Sequence, residues 1–162
     1  MKAAFEVLLA VLLVGGVDVL WFHLHRHRRY ASAPSVAEQS THLVRHLLFA
    51  ALGAGFALGL SPTVLLALLA VDLVNSLVDL ALEPRSRAAQ GGVSGLESVL
   101  HGLATFGLGV VAGLAWLGDA VFIPDAVDVT RGVVTAVLAV GLFTVELALT
   151  VRHRLRRVAL AP

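Results

Sequence analysis

Five long apolar runs constrain the fold of this chain more than any other feature of its sequence. Each is close to the length of about 20 residues that an α-helix needs to cross a bilayer. The runs are approximately Ala3–Phe22, Val36–Leu60, Pro62–Glu83, Gly95–Leu117 and Val129–Val151. A backbone in lipid must satisfy its hydrogen bonds internally, so the sequence predicts an all-α polytopic membrane protein with about five transmembrane helices. Pro84 is expected to end the third helix because it cannot donate a backbone hydrogen bond.

The composition agrees with a lipid environment and excludes several kinds of chemistry. The chain is 58% hydrophobic and 14% charged, whereas soluble domains carry about 25% charged residues. It contains no cysteine, which excludes disulfides, thiolate zinc sites and thiol catalysis. The formal net charge of +1 gives no reason to expect a nucleic-acid partner.

The basic residues predict the orientation of the helices. Of the 12 arginines and lysines, nine follow the first, third or fifth run. They are Arg26, Arg28, Arg29, Arg85, Arg87, Arg152, Arg154, Arg156 and Arg157. By the positive-inside rule, the N-terminus is expected outside and the C-terminus in the cytoplasm. The abundance of Ala, Leu, Val and Arg further suggests a bacterial inner-membrane protein, and the first helix is expected to be retained rather than cleaved.

Ionisable residues cluster at one depth, in the cytoplasmic halves of the predicted helices. The acidic ones are Asp18, Glu38, Asp72, Asp79, Glu83, Glu97 and Glu146, and they are accompanied by His42, His46 and His101. A carboxylate at the bilayer centre costs about 2.5–3.5 kcal/mol even on insertion scales. Protons, arginines, water or a cation must therefore compensate the charge of this layer.

A short motif occurs twice and predicts an internal duplication. Ser35 and Ser94 each begin the pattern S-x-x-E-x-x-x-H at a predicted helix start, and Asp18 and Asp79 precede the two copies. We therefore predict one transmembrane domain with two repeated hairpins, at about 3–60 and 62–117, that form a four-helix bundle. A fifth helix at about 129–151 and a basic tail at 152–162 follow. Glycines such as Gly53 and Gly107 are expected to draw the second and fourth helices together.

The repeated residues form a ligand set. Residues four apart project from one helix face, so each Glu and the His that follows it point the same way. Across both repeats the set is Asp18, Glu38, His42, Asp79, Glu97 and His101. Four carboxylates and two histidines from four helices resemble the ligands of di-iron carboxylate (ferritin-like) bundles, although those use Glu-x-x-His and this chain has Glu-x-x-x-His.

The resemblance implies two bound divalent metal ions, with iron the first expectation and zinc or manganese as alternatives. It also implies an oxidoreductase acting on a hydrophobic substrate at the cytoplasmic interface, while hydrolysis stays open. Supporting or proton-relay roles would fall to His46, Asp72, Asn75 and Glu146.

Structural interpretations of the same residues stay open. S-x-x-E is also a helix-capping box, in which Glu38 and Glu97 would have no ligand role. The aspartates could pair with arginines, and Glu146 is the expected partner of Arg45. The histidines between the first two helices, at 23, 25 and 27, could form a metal-loading tract, but they are expected to belong to a basic loop at the lipid headgroups.

Three other functions remain possible from the sequence. His42 or His46 could face His101 across a b-type haem. The acidic residues could line the path of a cation transporter. The polar layer could also be the interface of a structural subunit in a homo-oligomer or a larger membrane complex.

Overall fold

The computed structural model describes residues 1–26, 35–88, 91–118 and 122–159, with side chains up to Arg156. Its five α-helices are α1 (Lys2–Asp18), α2 (Val36–Ala57), α3 (Pro62–Arg87), α4 (Gly95–Trp116) and α5 (Ala126–Ala159). α1 continues directly into a π-helical segment, Val19–Arg26. No strand occurs in the described residues, and the all-helical prediction is confirmed for them.

Four helical segments are long and apolar enough to cross a membrane. They are Lys2–Arg26, Pro62–Arg87, Gly95–Trp116 and Ala126–Arg156. α2 is not among them, and its first turns carry Glu38, His42, Arg45 and His46. Five spans were expected, and the fifth therefore stays a prediction. α2 packs against both α5 and α3, and ten of its 22 residues are buried.

The closest helix pairs join the two halves of the chain. α1 lies along α4, α2 lies along α3, and the most extensive interface is between α2 and α5. The predicted contact between the second and fourth helices through their glycines is wrong. Gly53 faces the α5 backbone, whereas Gly107 faces Val11 of α1. A backbone without a side chain lets any neighbouring helix approach, so the glycines alone could not identify their partners.

The apolar core fills the bundle away from the arginine-rich end, where α1, α3 and α5 finish. Leu8, Leu52 and Leu65 are fully buried, and the rings of Phe5 and Phe56 lie 5.2 Å apart between their centroids. At the opposite end, Lys2 Nζ lies 2.5 Å from an oxygen of Asp125. The Lys2 ammonium and the backbone amides of residues 127 and 128 lower the pKa of Asp125 to about 2.

Two helices extend beyond the ends expected from the sequence. α3 continues through Pro84 to Arg87 instead of ending at Glu83, and the first helical segment runs past Phe22 to Arg26. Pro84 lacks the amide hydrogen that would bond to the carbonyl oxygen of Leu80, and side-chain contacts made by the residues after it offset that loss. The extension of α3 brings Ser86 and Arg87 to buried glutamates, with which both form polar contacts.

The α2–α5 interface depends on glycine. A Cβ on Gly53 would lie 2.9 Å from the carbonyl oxygen of Gly132 and 2.9 Å from the amide nitrogen of Ala136. Gly53→Ala is therefore expected to push two backbones apart and to lower the free energy of unfolding by about 1–3 kcal/mol. Denaturation in mixed SDS micelles, followed by circular dichroism, measures this change.

Gly109→Ala is the matched control for Gly53→Ala. No heavy atom lies within 4 Å of a Cβ at Gly109, so alanine there should leave stability unchanged or raise it slightly through its helix propensity. Equal stability of the two variants would contradict the close approach of α2 and α5.

Candidate metal centre

Seven buried carboxylates lie toward the arginine-rich end of the bundle, and all five helices contribute to them. None is more than 8% exposed. They are Asp18, Glu38, Asp72, Asp79, Glu83, Glu97 and Glu146. An isolated ionised carboxylate is too costly to bury, so each of these groups needs a compensating neighbour. Among the described residues, these neighbours include histidines, two arginines and the hydroxyl groups of Thr41 and Ser86.

The first cluster joins the end of α1 to the start of α4. Asp18, His23, Glu97 and His101 each offer one ligand atom, and these atoms all lie within 4.8 Å of one another. Asp18 Oδ2 is 2.9 Å from His101 Nε2 and 3.1 Å from His23 Nε2. His23 Nε2 is also 3.8 Å from Glu97 Oε1. Two imidazoles and two carboxylates therefore face one point.

Local helix geometry aligns the members of this cluster. Asp18 and His23 are five residues apart, which is the span of the backbone hydrogen bond in a π-helix, whereas that in an α-helix spans four residues. The π-helical segment Val19–Arg26 therefore places His23 on the same face as Asp18. On α4, Ser94 caps the helix by accepting from the amide of Glu97, and His101 follows one α-turn later.

The second cluster joins the start of α2 to α3. Glu38, His42 and Asp79 offer ligand atoms that also lie within 4.8 Å of one another. His42 Nε2 is 3.4 Å from Asp79 Oδ1. The same oxygen accepts a hydrogen bond from the Thr41 hydroxyl, which orients the carboxylate toward the histidine.

His23 connects the two clusters. Its ring lies edge-on to that of His42, with the centroids 4.2 Å apart, and its centroid is 6.2 Å from that of His101. The side chain of His23 is completely buried. The two ligand groups are therefore neighbours within one polar layer.

Arg87 lies among the glutamates of this layer. Its Nε is 3.6 Å from Glu38 Oε1 and its Nη2 is 3.5 Å from Glu83 Oε1. Nη2 also donates to Glu97, and Ser86 donates to Glu38. The guanidinium is fully buried. Its positive charge and the negative charges of these carboxylates therefore compensate one another.

The structure divides the six predicted ligands into two sets of three. One set is Asp18, Glu97 and His101, and the other is Asp79, Glu38 and His42. In each set, the aspartate comes from one predicted repeat and the Glu–His pair from the other. The ligand role of all six residues stays a prediction, but the proximity that the role requires is present.

The four predicted supporting residues lie beside these sets in three different arrangements. His46 Nε2 is 3.0 Å from Glu146 Oε2, which links α2 to α5. Asp72 Oδ1 is 3.5 Å from Arg45 Nε, and Asn75 donates to the backbone carbonyl of residue 41. Arg45 also approaches Asp79, at 3.7 Å. The expected Arg45–Glu146 pair is therefore wrong: Arg45 points to α3, and Glu146 faces a histidine.

The two Ser-x-x-Glu motifs differ as caps. Ser94 makes the side-chain cap bond to the Glu97 amide, whereas Ser35 makes no such bond. Both glutamates also contact groups outside their own helix: Glu97 contacts Arg87 and His23, and Glu38 contacts Arg87 and Ser86. Helix capping therefore accounts for only one of the two Ser-x-x-Glu motifs, and there for only part of the contacts of its glutamate.

The predicted ligand set omits His23, and Arg87 is predicted only among the arginines that could pair with the aspartates. Both were assigned to basic segments outside the helices, and both are fully buried. The spacing of five between Asp18 and His23 fits a π-turn only, so an α-helical pattern could not reveal it. For Arg87, the available signal was its spacing of four from Glu83, which fits an ion pair on a continuing helix.

A cavity of about 160 Å³ adjoins both clusters. Its polar wall includes Asp18, His42, Arg45, Asp79 and His101. Its other wall is apolar and is formed mainly by Val11, Leu12, Phe49, Leu108 and Leu142. The candidate site therefore has room for a small molecule beside it.

No known protein family, no curated protein and no solved structure matches this chain. Its function is therefore inferred from its side chains and their geometry.

Proposed function

We propose that this chain is an integral membrane protein that binds two divalent metal ions in the polar layer of its helical bundle. One ion would be held by Asp18, His23, Glu97 and His101, and the other by Glu38, His42 and Asp79. The observation that carries the proposal is the convergence of these ligand atoms to within 4.8 Å in both clusters. Ligands bound to one ion at 2.0–2.2 Å lie within about 4.4 Å of each other, so both clusters need only small adjustments.

The charge of the layer also supports two divalent cations. Seven buried carboxylates and the two arginines, Arg45 and Arg87, leave five negative charges, since seven minus two is five. Two divalent cations would offset four of these five charges, and they would bind histidines and carboxylates, the preferred ligands of iron, manganese and zinc.

The predicted duplication is part of the proposal. Asp18 corresponds to Asp79, and the Glu97–His101 pair corresponds to Glu38–His42. Each cluster combines the aspartate of one copy with the Glu–His pair of the other, as expected if two hairpins arose by duplication and pack about a pseudo-twofold axis. Neighbouring clusters with equivalent ligands favour a dinuclear centre over two unrelated sites.

For the reaction, we propose oxidoreductase chemistry on a hydrophobic substrate, on the basis of the ligand set. A haem between His42 and His101 is less well supported, because His23 contacts both rings and the adjoining cavity is about 160 Å³. That volume is close to the 150 Å³ that accommodates benzene, which is far smaller than a porphyrin. A cation path through the bundle would have to cross the apolar core around Leu8 and Leu52.

The site would lie at the cytoplasmic side of a bacterial inner membrane. The arginine-rich ends of α1, α3 and α5 are on the same side of the bundle as the clusters, which fits the positive-inside rule.

Metal analysis of detergent-purified protein tests the proposal, with Glu38→Gln and Glu97→Gln as the variants. Glutamine can replace glutamate in a capping box but supplies no anionic ligand. We expect about two equivalents of iron, manganese or zinc in the wild type and a loss in each variant. A Soret band in the absorbance spectrum, or equal metal content in the wild type and both variants, would contradict the proposal.

A further inference from the structure

We propose that the cavity beside the clusters binds a neutral lipid-soluble molecule whose ring-sized end carries a hydroxyl or carbonyl oxygen. The molecule would enter from the bilayer between α3 and α4. The molecule would be the substrate of the proposed metal centre. Its reaction depends on that proposal, whereas its binding to the cavity does not.

The route follows from which cavity-lining residues are exposed. Leu73, Leu77 and Leu80 of α3 line the cavity and are 56–64% exposed. Thr105 of α4 also lines the cavity and is exposed, whereas the lining residues of α1, α2 and α5 are buried or half-buried. The wall between the cavity and the outside is therefore the seam between α3 and α4.

A groove on the outer side of the same seam continues the route. It is lined by eight residues from α3, α4 and the segment before α4. Four of these residues, namely Leu80, Glu83, His101 and Thr105, also line the inner cavity. The apolar tail of a molecule in this groove would remain in contact with lipid, while its ring-sized end (its head) lay in the cavity.

The size of the cavity limits the head of the molecule. A volume of about 160 Å³ is close to that of a protein cavity that holds benzene. A single six-membered ring fits, and a fused ring system does not. Part of this volume exists because Gly15 lacks a side chain, since no heavy atom lies within 4 Å of a Cβ placed there.

The charges of the polar wall favour the binding of a molecule whose head is neutral. Arg45 can donate to an oxygen, but it already faces Asp72 and Asp79, and Asp18 and Glu83 also line the cavity. The polar layer has five net negative charges without the proposed cations and one with both of them bound (five minus four), so a carboxylate head would be repelled in either state. A hydroxyl or carbonyl oxygen can accept from Arg45 or from a histidine without that repulsion.

Three matched probes test the inference: 4-decylphenol, decylbenzene and 4-decylbenzoate at pH 8. Binding of radiolabelled 4-decylphenol to purified protein at fixed detergent concentration, with the other two as competitors, gives relative affinities. We expect the phenol to bind at least ten times more tightly than either competitor. Equal affinity of all three probes, or no binding of the phenol, would overturn the inference.

Gly15→Leu fills the cavity and should weaken binding of 4-decylphenol at least tenfold. Gly109→Leu is the control, because a Cβ there also meets no heavy atom within 4 Å, whereas Gly109 does not line the cavity. Unchanged binding in Gly15→Leu would overturn the inference. Metal content is measured on the same samples: metal without phenol binding rejects this inference alone, and phenol binding without metal rejects the proposed metal centre alone.

Discussion

Replacing Arg87 with alanine is expected to lower the free energy of unfolding by about 3–5 kcal/mol, the usual effect of removing one partner of a buried ion pair. The guanidinium is fully buried and contacts Glu38, Glu83 and Glu97. Without it, three glutamates would face one another in the interior. The variant should unfold at a lower SDS fraction in mixed micelles, as measured by circular dichroism.

Arg85→Ala is the control for this experiment. Arg85 is exposed and lies two residues away on the same last turn of α3, so its loss should change stability by no more than about 0.5 kcal/mol. If Arg85→Ala and Arg87→Ala unfold alike, Arg87 does not neutralise the glutamates and the arrangement of the polar layer is wrong.

Replacing His23 with alanine is expected to weaken metal binding in the first cluster by about 100-fold or more, since even residues that only orient a ligand contribute 10–100-fold. His23 supplies one of the four ligand atoms beside Asp18, Glu97 and His101. The second cluster keeps all three of its ligands, so one metal ion should remain tightly bound. Competition with a chromophoric chelator measures both affinities.

His25→Ala distinguishes the loss of a metal ligand from a general disturbance of the π-helical segment. His25 lies on the same segment but is exposed and stacks on Trp21, with the ring centroids 5.0 Å apart. Its replacement should leave both metal affinities unchanged. If His25→Ala and His23→Ala have the same effect, the segment matters for its shape and His23 is not a ligand.

The helices were predictable because their determinants are local. Apolar runs of sufficient length identify the helices, and four of them meet the requirements for a membrane span in the structure. α2 shows the limit of this reasoning. Its polar first turns are satisfied by neighbours on α3 and α5, namely Asp79 and Glu146, and a local pattern contains no information about such neighbours.

The candidate site was predictable as a set of residues but not as a geometry. The repeated motif identified Glu38, His42, Glu97 and His101, because i and i+4 share a helix face. Which aspartate joins which pair depends on the packing of α1 with α4 and of α2 with α3. That packing is set by side-chain shape between distant segments, and no spacing within the chain encodes it.

His23 and Arg87 illustrate a different limit. Their positions depend on helices that continue past the expected ends, through a π-helical segment and through Pro84. Continuation lets each buried side chain contact a carboxylate, that of Glu97 in both cases. A tertiary contact of this kind outweighs the local signal for a helix end.

The most direct test of the metal centre is the metal stoichiometry of four proteins purified in parallel: wild type, His42→Ala, His101→Ala and the double variant. Each histidine belongs to a different cluster. The proposal predicts about two equivalents of divalent metal in the wild type, at most one in each single variant and none in the double variant. Absence of metal from the wild type, or two equivalents retained in both single variants, would contradict it.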